Sequence, residues 1–260
     1  FDNLPEDADW WHCDAALCAL GTTRKHAGSR EAFRLVDRGY VSTCARLARR
    51  AGTRTFVLNS AVGASPRSGS FYLRVKGEVE QDLSAMDFRS LSLLRPSLLD
   101  GARPEDRPGE LVGLLVSRTF KPLIPKRLRA VKATDVAAAM LQAALSAAWD
   151  ELEAITIAAE ESAPLNPKGA QAILKALGAD APETSDLTLL AADFRDPVLR
   201  ARAEAWRARV ETALALRMGG GARGREAAAL LFAAWQGQIL WQMAGGKGFR
   251  LKDAVKRLGD

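Results

Sequence analysis

Short apolar runs alternate with longer amphipathic ones through the first 145 residues, and beyond them only the long kind remains. Asp14–Leu20 (DAALCAL), Arg54–Leu58 and Ser90–Leu94 have the length and apolar character of buried strands. Each is closed by a turn signal: Gly21, the Gly/Ser/Pro-rich stretch after Ser60, and Arg95-Pro96. Between them, Ser29–Ala51 and Phe71–Met86 read as helices, the first with Ser29 as N-cap and Gly52 as its stop. Thr134–Leu145 predicts another helix, with Thr134 as N-cap and Asp135 favourable in the first turn. This βαβαβ order predicts a parallel sheet with right-handed crossovers. Such sheets bind ligands at the carboxyl ends of their strands, so Gly21-Thr22-Thr23, Ser60 and Arg95-Pro96 should gather along one edge.

From Ala147 onward the chain is rich in Ala, Leu, Arg and Glu and shows no strand pattern. Asp196-Pro197 opens a helix, with proline at its first position. Glu226–Met243 predicts a long apolar helix holding Phe232, Trp235, Ile239, Leu240 and Trp241. Ala158–Ala181 is broken by prolines and glycines. The expected fold class is α/β in the first half plus an all-α helical C-terminal domain. The domains are 1–146 and 147–260, with the boundary near Leu145–Ala148. Gly219–Gly224 satisfies G-x-G-x-x-G, but a dinucleotide fingerprint must follow a strand and open a helix. Here a helical pattern precedes it, which makes a helix–helix loop the expected structure.

The net charge of +6 lies wholly in the first half: residues 1–145 hold 22 Lys+Arg against 16 Asp+Glu, and the remainder 15 against 15. The arginines are scattered, without a basic helix, so a phosphate-bearing small molecule is a more economical partner than nucleic acid. Cys13, Cys18 and Cys44 have no metal-ligand spacing and His12 and His26 are the only histidines, so no metal site is expected. No apolar stretch is long enough for a membrane span, and no signal peptide is evident. These features predict a reduced, cytoplasmic protein.

Chemistry concentrates in Phe56–Lys76, FVLNSAVGASPRSGSFYLRVK. A strand delivers Ser60 into a loop, and Tyr72 and Lys76 follow at i and i+4, on one helical face. An ammonium near a phenol favours the phenolate and lowers its pKa from about 10. That suits Tyr72 to proton exchange, with Ser60 hydrogen-bonded to the substrate oxygen.

The stretches LGTTRKHAG (Leu20–Gly28), AFRLVDRGY (Ala32–Tyr40), FYLRVKGEVE (Phe71–Glu80), LRPSLLDG (Leu94–Gly101) and RPGE (Arg107–Glu110) occur together and in order. With them, residues 1–145 resemble the atypical short-chain dehydrogenase/reductases of the Tat-interacting oxidoreductase group. The resemblance implies a Rossmann-type sheet, NADP(H) binding and Tyr72 as proton donor and acceptor. Lys76 would hold the nicotinamide ribose and assist Tyr72. Leu20 and Gly21 would pass close to the dinucleotide, and Leu99 and Arg107 would also touch it. Ala61 stands where the family usually has a second serine, which leaves the serine role to Ser60. The family opens with a strand and a glycine-rich phosphate loop, and the sequence in hand starts after them. The implied NADP(H) binding is therefore weak or lost unless another segment replaces that loop.

Leu189–Leu214 and Leu230–Leu258 resemble the C-terminal ligand-binding and dimerisation domain of TetR-type regulators. That likeness implies a homodimer through the helical domain, with Trp235, Gln236, Gly237, Ile239 and Leu240 on or near the pairing surface. No helix-turn-helix accompanies it, so DNA binding is not supported. The expected function is an NADP(H)-dependent oxidoreductase acting on a small-molecule carbonyl or alcohol. The alternative is a non-catalytic ligand-sensing or dimerisation protein with a degenerate reductase half.

Overall fold

A computed structural model describes residues 4–100, 130–179, 196–243 and 248–259. Over these residues the protein is α/β in its first half and helical in its second. It divides into two compact units, Phe1–Ala148 and Trp149–Asp260.

The first unit is built on three parallel strands in the order β1 (Ala15–Cys18), β2 (Thr55–Asn59), β3 (Ser90–Leu94). Leu58 pairs with Cys18 on one side and Leu93 on the other. β2 reads apolar without alternation because helices cover both of its faces. Phe56 and Leu58 pack with Val41, Ala45, Val79, Leu83 and Phe88 on one side. Val57 packs with Val136, Met140 and Ala144 on the other. A short parallel bridge, β4 (Leu99–Asp100) with β5 (Val131–Lys132), was not legible in the sequence.

Thr23 caps a short helix, α1 (Arg24–Ala27). The long helix expected over Ser29–Ala51 is present but not uniform. Ser29 caps α2 (Arg30–Arg34) by accepting the Ala32 N–H at 3.0 Å. A π-helical segment, Leu35–Tyr40, follows, then α3 (Val41–Arg50). The wider turn of the π segment falls where Asp37 is turned inward. Gly52, at φ +97°, ends α3 in the left-handed region. α4 (Phe71–Ser84) crosses the same face of the sheet. Its Gly77 abuts the loop before the helix: a Cβ there would lie 2.2 Å from the Ser65 carbonyl carbon.

Thr134 is not the N-cap of the next helix. α5 (Ala133–Ser162) already starts at Ala133, and it runs past the expected end at Leu145 because no proline or glycine interrupts the alanine-rich sequence. The division between the two units falls inside this helix.

The second unit contains the end of α5, α6 (Pro167–Ala179), α7 (Pro197–Arg217), α8 (Gly221–Met243) and α9 (Leu251–Gly259). Asp196 caps α7 by accepting the Val198 and Leu199 N–H groups at 2.8 and 3.2 Å, ahead of Pro197. Residues seven apart on α5 and α7 pair in step: Glu153 with Arg202 at 2.7 Å, and Glu160 with Arg209 at 2.7 Å. Between them the Trp206 indole donates to Thr156 Oγ1 at 2.8 Å inside the core. Arg217 donates to the Glu160 and Ala163 carbonyls, closing the end of α5. Gly219, Gly220 and Gly221 form the turn between α7 and α8, all at positive φ, so the glycine-rich stretch is a helix–helix loop.

The aromatic residues of α8 divide between core and surface. Phe232 and Trp235 stack at 5.6 Å between ring centroids and are buried, and Ile239 packs against the same core. Trp235, expected on or near a pairing surface, has its ring in the unit's own core. Trp241, by contrast, is 67% exposed.

Candidate functional site

The carboxyl ends of β1 and β2 and the first turns of α4 bring most of the expected residues to one edge of the sheet. Tyr72, Lys76 and Glu80 recur every four residues along α4 and so share one face. Tyr72, in the first turn, is 38% exposed, and its ring meets Phe33 edge-on at 6.1 Å. Lys76 and Glu80 are buried. A buried charge requires a partner, and each has one that the strand-and-loop reading did not include.

Lys76 Nζ lies 2.9 Å from Oδ1 of Asp37, whose side chain is 1% exposed. Asp37 Oδ2 accepts the Thr22 N–H at 2.8 Å, which ties the carboxylate to the turn leaving β1. Gly21 fits against this pair: a Cβ there would stand 3.1 Å from Asp37 Oδ1 and 3.5 Å from Lys76 Nζ. Leu20 packs its side chain into the core beneath α3 and α4. Burial pushes the Cys18 thiol up from its ordinary pKa, with the Leu20 backbone hydrogen bond and the Lys76 charge opposing.

Ser60 extends the β2–β3 ladder, its N–H donating to the Leu94 carbonyl at 2.7 Å. Its hydroxyl donates to Glu80 Oε1 at 2.5 Å. The same carboxylate takes Arg95 in a fork, Nε to Oε1 at 2.9 Å and Nη2 to Oε2 at 2.5 Å. A carboxylate so held only accepts, so the single Ser60 proton is committed to it. Ser60 therefore presents lone pairs, and no O–H, to any further partner.

The structure thus brings Gly21 to Lys76 through Asp37 and Ser60 to Arg95 through Glu80. It also sets Lys76 one helical turn from Tyr72. Leu99 lies on the other face of the sheet, packed against the cluster of Val57, Val136, Met140 and Ala144. Arg107 falls outside the described residues. Asp37 and Glu80 were the residues missed by sequence reasoning. Each carried a signal, being a charge in line with apolar residues at helical spacing: Phe33, Asp37, Val41, Ala45 in one case, and Val79, Leu83 beside Glu80 in the other.

No family model matches this chain. The chain is similar to the protein fmp52, mitochondrial, of Aspergillus niger, with 42% identity over 113 residues, 44% of this chain and 47% of that protein. It is also similar to the protein HTATIP2 of Rattus norvegicus, with 46% identity over 97 residues, 37% of this chain and 40% of that protein. FMP52-1, mitochondrial, of Scheffersomyces stipitis is 44% identical over 89 residues, 34% of this chain and 39% of that protein. The chain spans less than half the length of these curated relatives. The expected cytoplasmic setting is corrected by them: the fmp52 proteins are named mitochondrial and point to that compartment instead. The likeness to TetR-type regulators gains no support from the matches. They do support the likeness to short-chain dehydrogenase/reductase-like proteins of the Tat-interacting group.

Proposed function

We propose that the first unit is a reductase-type, nucleotide-binding module that acts on a small carbonyl or alcohol in a mitochondrial setting. Tyr72 exchanges the proton with the substrate oxygen, and Lys76 holds the nicotinamide ribose. The observation that carries this reading is the placing of Lys76 beside Gly21 at the carboxyl edge of a parallel sheet, one turn from a partly exposed tyrosine. The residue types fit the nicotinamide end of such a cofactor. Gly21 lacks the Cβ that would crowd Asp37 and Lys76, and Lys76 would supply its cation there from its pair with Asp37. When bound, NADP(H) supplies the hydride. Tyr72 then gives or takes the proton, while the Ser60 proton stays with Glu80.

Saturation-transfer NMR with millimolar NADP+ tests the reading, because it detects weak complexes. Transfer to wild type that disappears in Gly21→Val and Lys76→Ala is the expected result. No transfer to wild type, or transfer indifferent to both substitutions, overturns it. With a substrate in hand, Tyr72→Phe should lower turnover by about 10²–10⁴-fold.

A second reading is favoured by the same carboxylates. Asp37 and Glu80 engage Lys76 and Ser60 within the fold, as in a reductase half that has become structural. On that reading the helical unit is the working part, a dimerisation or ligand-sensing module of the TetR type, with the exposed Trp241 as a contact. Light scattering of wild type and Trp241→Ser distinguishes the two: a dimer lost in the variant favours the second reading, and an unchanged mass sets it aside.

A further inference from the structure

We infer that Asp37 is a positioning residue which locks Lys76 to the turn leaving β1, so that the ammonium and the Gly21–Thr22 backbone are held as one piece. The inference rests on the nucleotide-binding reading for its purpose, though not for its geometry.

The two carboxylate oxygens divide the work. Oδ2 accepts the Thr22 N–H at 2.8 Å. Oδ1 faces the Lys76 ammonium at 2.9 Å as an ion pair and takes no hydrogen bond among the described residues. Both side chains are withdrawn from water, with Asp37 1% and Lys76 4% exposed. A buried ion pair is a poor source of stability, because desolvation offsets most of the attraction. Its effect is geometric: each charge can rest only where the other meets it. Asp37 comes from the π-helical segment, Thr22 from the strand exit and Lys76 from α4, so one carboxylate joins three separate elements. Gly21 completes the arrangement, since a Cβ there would press on Oδ1 at 3.1 Å and on Nζ at 3.5 Å. The lock can therefore be opened from two sides: by removing the carboxylate charge, or by adding a methyl group at position 21.

Reductive methylation of the folded protein, mapped by mass spectrometry, reads the freedom of Lys76 without requiring any activity. The exposed Lys168 serves as internal reference. In wild type Lys76 should react at least tenfold more slowly than Lys168. In Asp37→Asn and in Gly21→Ala the Lys76 rate should rise severalfold, with the Lys168 rate unchanged and the circular-dichroism spectrum at the assay temperature still that of the folded protein. Should Asp37→Asn fail to fold, Gly21→Ala alone decides, because Gly21 has no left-handed backbone to strain. A Lys76 rate equal to wild type in the folded variants overturns the inference. Adding millimolar NADP+ separates it from the functional reading. If the variants release Lys76 but the nucleotide slows no rate in wild type, the lock stands and the nucleotide reading falls. If the nucleotide protects Lys76 equally in wild type and both variants, cofactor binding stands and the lock is refuted.

Discussion

Ser60 donates its hydroxyl proton to Glu80 at 2.5 Å, across twenty residues of sequence, and Glu80 holds Arg95 in a two-bond fork on its other side. The carboxylate is the joint: it ties the end of β2 to α4 and to the turn after β3. Ser60→Ala should cost about 2 kcal/mol, as expected for a hydrogen bond to a charged acceptor. Glu80→Ala should cost more, because it leaves two groups without their acceptor. In a double-mutant cycle by urea unfolding, Ser60 and Arg95 should couple by roughly 0.5 kcal/mol or more. Strictly additive effects would show that the shared carboxylate does not link them.

Gly77 sets how closely α4 approaches the loop before it. A Cβ would fall 2.2 Å from the Ser65 carbonyl carbon and 2.3 Å from Pro66 N, both main-chain atoms that no rotamer change can move aside. Gly77→Ala should therefore destabilise by about 2–3 kcal/mol, the upper part of the range for overpacking. Alanine favours helix more than glycine does, so a variant as stable as wild type would mean that the loop yields freely.

Thr156 and Trp206 make the one buried side-chain pair of hydrogen-bonding groups described between α5 and α7. Thr156→Val keeps the shape and leaves the indole N–H without its acceptor. The expected cost is about 1–3 kcal/mol in chemical denaturation. Thr156→Ser, which restores the oxygen, should recover most of it.

Acid should act on the helical unit through Glu153. Hydrogen bonds from Arg202 hold its carboxyl below the usual carboxylate range. A lowered folded pKa gives stability that is present above the unfolded value, about 4.3, and is lost as pH falls through the folded one. The pair is well exposed, so its contribution is below about 1 kcal/mol. Melting curves of wild type and Glu153→Gln should differ at pH 7 and draw together as the pH falls through the folded value. A difference that does not shrink at all on acidification would assign it to packing instead of charge.

The strands were legible because they are short apolar runs cut off by turn residues, and β3 matches its expected span, Ser90–Leu94. The caps at Ser29 and Asp196 were legible because a cap is a local bargain between neighbours, sealed within three residues. What could not be read were partners far apart in sequence. Asp37 meets Lys76 across two elements, and nothing near either residue marks the other. The same holds for α8, where Trp235 and Trp241 look alike in sequence but fall on opposite faces, one stacked on Phe232 and one facing solvent. Helical periodicity says that both faces are apolar, and tertiary packing alone decides which one is covered.

The boundary between the two units lies within a continuous helix, and this has a consequence for how heat would take the protein apart. Helices ordinarily fray from their ends. The ends of α5 are the parts best fastened: its first turns through Val136, Met140 and Ala144 against Val57, its last by Arg217 and the tryptophan core. Either half alone is near the length, roughly 12–15 residues, at which a free helix is marginal in water. Melting of one unit would therefore strip support from half of the helix while the other half stayed wound. The first amides of α5 to exchange with solvent should be those around Ala148 and Trp149, where one core's hold ends and the next begins.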